Sequence, residues 1–224
     1  MSKVIIFGTG RGADVAFRYI SSDTDHQICG FSVDKAYLEV TEFQGLPVVD
    51  FENVESHYPP SEYKFFVPMG YESMNKLRCA KYLEAKEKGY SFISYVSSTI
   101  QKLEDFDIGE NCFILENQSI NFDVKIGNNV TIWSSNQIGD STVIMDHCWI
   151  SSQVCISGNV VVRPYSVIGI NATISNNVTI EEESFIGANA LITKDTEVKG
   201  VYLVESTKKA PLSSDRFVAM MNRQ

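Results

Sequence analysis

Between Ile108 and Val198 an aliphatic residue returns every six positions: Ile108, Ile114, Ile120, Ile126, Ile132, Ile138, Ile144, Ile150, Ile156, Val162, Ile168, Ile174, Ile180, Ile186, Ile192, Val198. A second column of small or β-branched residues follows four positions later and includes Cys112, Val124, Val130, Cys148, Val154, Ala172 and Ala190. A period of six fits neither an amphipathic helix nor plain strand alternation over such a length. It marks a parallel β-helix, in which three hexads close one triangular coil of about 18 residues. The aliphatic column points into the prism and stacks on its own kind one coil above. The register predicts about five coils and a prism roughly 25 Å tall. Gly109, Gly127, Gly139, Gly169 and Gly187 each follow a column residue and are expected to relieve turns that need unusual dihedrals.

Before the repeat the pattern changes. Strands are predicted over 3–7, 27–33, 46–49, 63–68 and 91–96, with helices after the first and over 73–88. In the second helix Met74, Leu77, Ala80, Leu83 and Ala85 form the expected apolar face, and Gly89 ends it. Alternating strands and helices imply a small parallel α/β domain, residues 1–98, ahead of a β-helix domain, residues 99–224. Past Val198 a short strand is expected, then a helix capped by Ser213 or Ser214 that covers the open end of the prism.

Composition narrows the function. A net charge of −9 argues against a nucleic-acid binder or a basic membrane-surface protein. No apolar run is long enough to insert in a membrane. The five cysteines show no metal-type spacing and the three histidines no cluster, so no metal is expected and a reduced, cytoplasmic setting is.

One motif carries chemistry outside the repeat. Gly8-Thr9-Gly10-Arg11-Gly12 follows a strand and opens a helix, with Asp34 further on. Such a turn meets phosphate with backbone N–H groups at a helix N-terminus. The third glycine is displaced from the dinucleotide fingerprint, and a domain of this size lacks a second mononucleotide half. A nucleotide fits better than a redox dinucleotide, and a tight turn without a ligand is the other reading.

The segments VIIFGTGRGADVA, FFVPMGYESMNKLR, ISYVSS, NQIGDS to SGN and SFIGANALITKDT, together with the hexads, resemble the nucleotide-sugar acyltransferases of the sialic-acid O-acetyltransferase type. The resemblance implies a Rossmann-like domain on a left-handed β-helix and a homotrimer with active sites between subunits. It implies acetyl-CoA as cosubstrate and a nucleotide-linked amino sugar of bacterial surface-glycan biosynthesis as acceptor. Gly8, Gly10, Arg11 and Asp34 match the nucleotide-sugar region. Gly158, Asn159, Asn171, Gly187, Ala188 and Lys194 match positions that contact CoA, and Lys194, Lys208 and Lys209 are candidates for its 3′-phosphate. Asn136-Gln137-Ile138-Gly139-Asp140 stands where relatives read Asn-His-Ile-Gly-His, the second histidine being the base. Asp140 takes that place here, Gln137 the first histidine's, and Gln153 a third often filled by histidine. His147, alone of its kind in the repeat, is a second candidate base on a different side of the coil. Trp133 and Trp149 are expected at a subunit interface. An O-acetyltransferase and a non-catalytic trimeric homologue stay open beside the N-acyltransferase.

Overall fold

The computed structural model describes residues 1–222. In the N-terminal part, β1 (Lys3–Phe7), α1 (Arg11–Asp23), β2 (Gln27–Val33), β3 (Glu42–Phe43), β4 (Leu46–Asp50), α2 (Val54–His57) and β5 (Tyr63–Phe66) precede α3 (Lys76–Glu87). The sheet order is β3-β4-β2-β1-β5, parallel except for β3. β1 reads as a continuous apolar run because both faces are covered, as parallel strands require.

The hexads build a left-handed parallel β-helix. Its two-residue strands stack into three flat faces, each residue pairing with the one 18 positions on: Thr131 with Trp149, Gln137 with Cys155, Val143 with Val161. The column from Ile114 to Ile192 forms one core with the small column, Cys112, Val124, Val130, Cys148, Val154 and Ala172 among it.

Several expectations are corrected. The prism starts earlier, since Tyr95–Val96 pairs with Phe113–Ile114, and only Phe92 of the preceding segment bridges to β5. It also stops earlier on one face. Val198 is exposed, Thr196 is buried instead, and the last strand, Val201–Tyr202, pairs with Phe185–Ile186 out of the 18-residue step. Helix α4 (Ser214–Met221) is capped by Ser213, whose hydroxyl accepts from the Arg216 N–H, but it buries none of its residues and covers no end.

The glycines after the column are not where the chain turns. Positive φ falls two residues later, in a run that includes Asn111, Asn129, His147, Asn159, Tyr165, Asn171 and Asn189. Asparagine tolerates the left-handed region better than most residues. The glycines serve coil stacking: a Cβ on Gly139 would lie 2.5 Å from the backbone of Ser157 and Gly158 in the next coil.

Candidate functional site

The outward residues of one prism face are Tyr95, Phe113, Thr131, Trp149, Val167 and Phe185. The other two faces carry residues such as Gln101, Gln137 and Thr173, or Asp107, Lys125 and Thr179. The apolar face is the one the N-terminal domain sits on. Phe113 packs edge-on against Phe66 and Tyr19 there.

Helix α3 is the main clamp, and its buried face differs from the expected one. Leu77 and Leu83 are exposed; Arg78, Cys79, Tyr82 and Ala85 are buried. The Arg78 guanidinium donates to the Asn129 side-chain oxygen (3.2 Å) and to the carbonyls of Gly70 (2.9 Å), Asn129 (3.2 Å), His147 (3.3 Å) and Cys148 (3.1 Å). Burial pulls its pKa down to about 10. Asn75, just before the helix, donates to the Tyr165 and Ser166 carbonyls at 3.1 and 3.4 Å.

Between the domains lies a cavity of about 350 Å³, bounded by Arg11, Gly12, Pro68, Glu72, Thr131, Trp133 and Trp149 among others. A second cavity, about 250 Å³, adjoins it along the glycine-rich turn and shares Gly12, Pro68, Met69, Gly70 and Glu72. Each glycine of the turn has its own reason. Gly8 has φ +104°; a Cβ on Gly12 would sit 2.3 Å from the Pro68 carbonyl oxygen; Gly10 faces open space. Gly10 is also the N-cap of α1, and no side chain caps that helix, so its first N–H groups open on the cleft. Trp149 packs at a tilt against Trp133 (5.9 Å) and Tyr71 (5.2 Å) within one chain. The Trp133 indole N–H is buried without a partner among the described residues.

The remaining predicted residues are spread over the prism. Gly8, Gly10 and Arg11 line the cleft, but Asp34 lines neither cavity and is ion-paired with Lys81 at 2.7 Å. Asn136 is buried: its side-chain oxygen accepts the Val154 N–H at 2.6 Å and its amide donates to the Trp133 carbonyl, so it holds one coil on the next. Gln137 is exposed on the second face. Asp140, Gly158 and Lys194 occupy equivalent places on one corner, with the coil of Asn176 between the last two; Asp140 and Lys194 are exposed and Asn159 is beside them. Asn171, Gly187 and Ala188 lie on the neighbouring corner, where Asn171 donates to Asn189 at 2.7 Å.

His147 is on the third corner, under α3. Its Nδ1 meets the Asn129 amide nitrogen at 2.9 Å and its Nε2 meets Cys79 Sγ at 3.5 Å. The Asn129 side-chain oxygen is already taken by Arg78 (3.2 Å) and Asn111 (2.8 Å), so its NH₂ faces the ring. The network therefore puts the proton on Nε2 and uses the Nδ1 lone pair. Tyr165 stacks on the ring at 5.0 Å, and burial lowers the imidazole's pKa. His147 lines neither cavity.

Sequence reading passed over Arg78, Glu72, Thr131 and Phe113. The outward apolar column at 18-residue spacing was the available signal for the last two. Arg78 carries none, because a buried arginine reads as a surface one.

No protein-family model and no curated protein matches this chain. Solved structures share its fold. A mutant perosamine N-acetyltransferase from Caulobacter crescentus, in complex with CoA and GDP-perosamine, superposes with a TM-score of 0.76 at 20% identity, over 87% of this chain and 90% of its own. The acetyltransferase domain of PglB from Neisseria gonorrhoeae gives 0.75 at 16%, over 88% and 94%. WeeI from Acinetobacter baumannii gives 0.74 at 16%, over 90% and 96%.

Proposed function

We propose that the protein is an acyltransferase that moves an acetyl group from acetyl-CoA to the amine of a nucleotide-linked sugar. One observation carries the reading. The glycine-rich turn and the aromatic prism face meet in adjoining cavities that share Gly12, Pro68, Met69, Gly70 and Glu72. A phosphate at the uncapped start of α1, with Arg11 beside it, would direct an attached sugar toward Trp133 and Trp149. The fold it shares with a perosamine N-acetyltransferase that binds CoA and GDP-perosamine supports the same chemistry.

The donor contacts divide between the corner opposite the aromatic face and the corner that borders it and carries Trp133. Asp140, Gly158, Asn159 and Lys194 rise along one corner and Asn171, Gly187 and Ala188 along the next, an edge of the length and polarity that suits pantetheine and its phosphates. The Asp140 corner lies opposite the aromatic face, so the acceptor cleft does not reach it within one chain. A complete site then takes the cleft of one subunit and the edge of another, which is the physical reason to expect the homotrimer. An unprotonated amine attacks a thioester without a strong base: the N–C bond forms, the C–S bond breaks, and the proton leaves with the thiolate. His147 has no free lone pair to offer, so Asp140 from a neighbouring copy is the one candidate side-chain base, and a base-free attack is the alternative.

The test is thiol release from acetyl-CoA against UDP-, dTDP- and GDP-linked sugars, each in amino and hydroxyl form, for wild type and Asp140→Asn. Turnover confined to amino sugars and little changed by Asp140→Asn fits attack without a side-chain base. Turnover abolished by that substitution makes Asp140 the base. No turnover and no acetyl-CoA binding leaves the non-catalytic trimer.

A further inference from the structure

Two charged side chains, both exposed, line the cavity between the domains, Arg11 and Glu72, and neither makes a hydrogen bond or ion pair among the described residues. The segment that carries Glu72 is held unusually firmly. Ser73, Met74 and Asn75 have φ of 52°, 55° and 64°, three consecutive non-glycine residues in the left-handed region. Such a conformation is costly for a residue with a side chain and persists only where its surroundings impose it. The surroundings are visible. Arg78 grips the Gly70 carbonyl at 2.9 Å, and Asn75 is bonded to the prism through Tyr165 and Ser166 at 3.1 and 3.4 Å. Between these anchors the Tyr71 ring packs at a tilt against Trp149 at 5.2 Å and its carbonyl accepts the Asn75 N–H at 3.0 Å. Glu72 alone in this stretch brings a charge to the cleft, with no partner among the described residues. Its carboxylate lies over Gly70, where a Cβ would come within 2.6 Å of it, so the glycine leaves it room to stand there.

We infer that Glu72 is the specificity residue for the acceptor's amine: it receives the ammonium of the bound amino sugar while Arg11 and the start of α1 receive its phosphates. The cleft then presents one positive and one negative group to a ligand that carries both charges, with Trp133 and Trp149 as the apolar wall for the sugar ring. A carboxylate only accepts hydrogen bonds, and it rewards a cationic donor over a hydroxyl. This inference rests on the acyltransferase reading and sharpens it toward amino over hydroxyl acceptors at the binding step; the bound ammonium gives one proton to solvent before the neutral amine attacks.

The experiment is calorimetric binding to the full-length chain, with and without Glu72→Gln. The ligands are UDP-, dTDP- and GDP-linked amino sugars, each beside the same nucleotide sugar with a hydroxyl in place of the amine. Wild type is expected to bind the amino form of its nucleotide about tenfold more tightly than the hydroxyl form, the weight of one charge-assisted bond. Glu72→Gln is expected to erase that ratio and leave the hydroxyl form's affinity unchanged. A ratio unaffected by Glu72→Gln overturns the assignment while leaving nucleotide-sugar binding standing. Equal tightening of both forms also overturns it, since Glu72 would then only be screening Arg11 from phosphate. Failure of wild type to bind any nucleotide sugar overturns the parent reading, and this one with it.

Discussion

Arg78 on α3 and Asn129 in the prism, 51 residues apart, are joined twice, through the Asn129 side-chain oxygen and through its carbonyl, both at 3.2 Å. The same guanidinium reaches the carbonyls of the next coil and of the loop before α3, so one buried cation fastens the N-terminal domain, the cleft loop and the β-helix together. Removing it strands several buried carbonyls, which costs about 3 kcal/mol or more. Arg78→Met, which keeps the apolar stem, is expected to lower the melting temperature by roughly 6–12 °C for a chain of this size. Thermal unfolding followed by circular dichroism checks this; an unchanged melting temperature contradicts the clamp.

Two glycines give opposite expectations. Gly139 has the next coil's backbone 2.5 Å from where a Cβ would stand, and Gly10 has nothing within 4 Å. Gly139→Ala must push rigid backbone aside and is expected to destabilise by about 1–3 kcal/mol, the usual cost of overpacking. Gly10→Ala is expected to fold normally and to weaken nucleotide binding instead, because the methyl occupies the approach to the helix N-terminus. Urea titrations of both variants separate the two effects.

His147 ties stability to pH. Burial holds its imidazole below the ordinary value of 6.5. The unfolded chain therefore binds a proton that the folded chain refuses as pH falls below about 6.5. Stability is full above that pH and declines below it, down to the depressed folded value. His26, also lowered by burial, adds to the same slope. His147→Gln is expected to flatten the part of the melting temperature's decline between pH 7 and 5 that belongs to this ring. The same variant should leave thiol release largely intact at neutral pH, apart from any loss of folded protein. A collapse of turnover in well-folded His147→Gln would mean that the ring does reach the reaction.

Lys194 stands exposed at the far end of the corner that begins at Asp140. If CoA runs along that corner, Lys194→Glu should raise KM for acetyl-CoA several-fold, as expected for losing a partly screened phosphate contact. It should have little effect on KM for the 3′-dephospho analogue. An equal rise for both donors places the phosphate elsewhere.

The hexad register was readable because one side-chain requirement repeats unbroken: Ile114, Ile132 and Ile150 fill the same slot of three successive coils. What the register left dark are features that depend on two distant segments meeting. The turn position was misplaced onto Gly139 and its equivalents, since close stacking and positive φ both favour glycine and only coordinates separate them. The α3 face was misread because Leu77 and Leu83 look like core, whereas the prism offers carbonyls rather than apolar atoms and so selects Arg78 and Asn75. Asp34 matched the nucleotide-sugar region by its place after the glycine turn; its ion pair with Lys81 on α3 depends on a helix far along the chain and could not be read from that spacing. The cleft itself was half legible. Gly8, Gly10 and Arg11 stood out as a motif; Glu72 and Thr131 belong to it only because the chain folds back on the face that carries Phe113 and Trp149.

The central claim is that the cleft between the glycine-rich turn and the Trp133–Trp149 face holds a nucleotide-linked amino sugar for acylation. Mass spectrometry of nucleotide amino sugars incubated with acetyl-CoA and the protein tests it most directly, with Trp149→Ala and Arg11→Ala alongside wild type. The account predicts that one acceptor gains a single acetyl group with wild type, and that each variant, though folded, gives at least about tenfold less product at subsaturating acceptor. An acceptor acetylated equally well by both variants would move the site away from this cleft, and no acetylated product from any acceptor would contradict the acyltransferase reading itself.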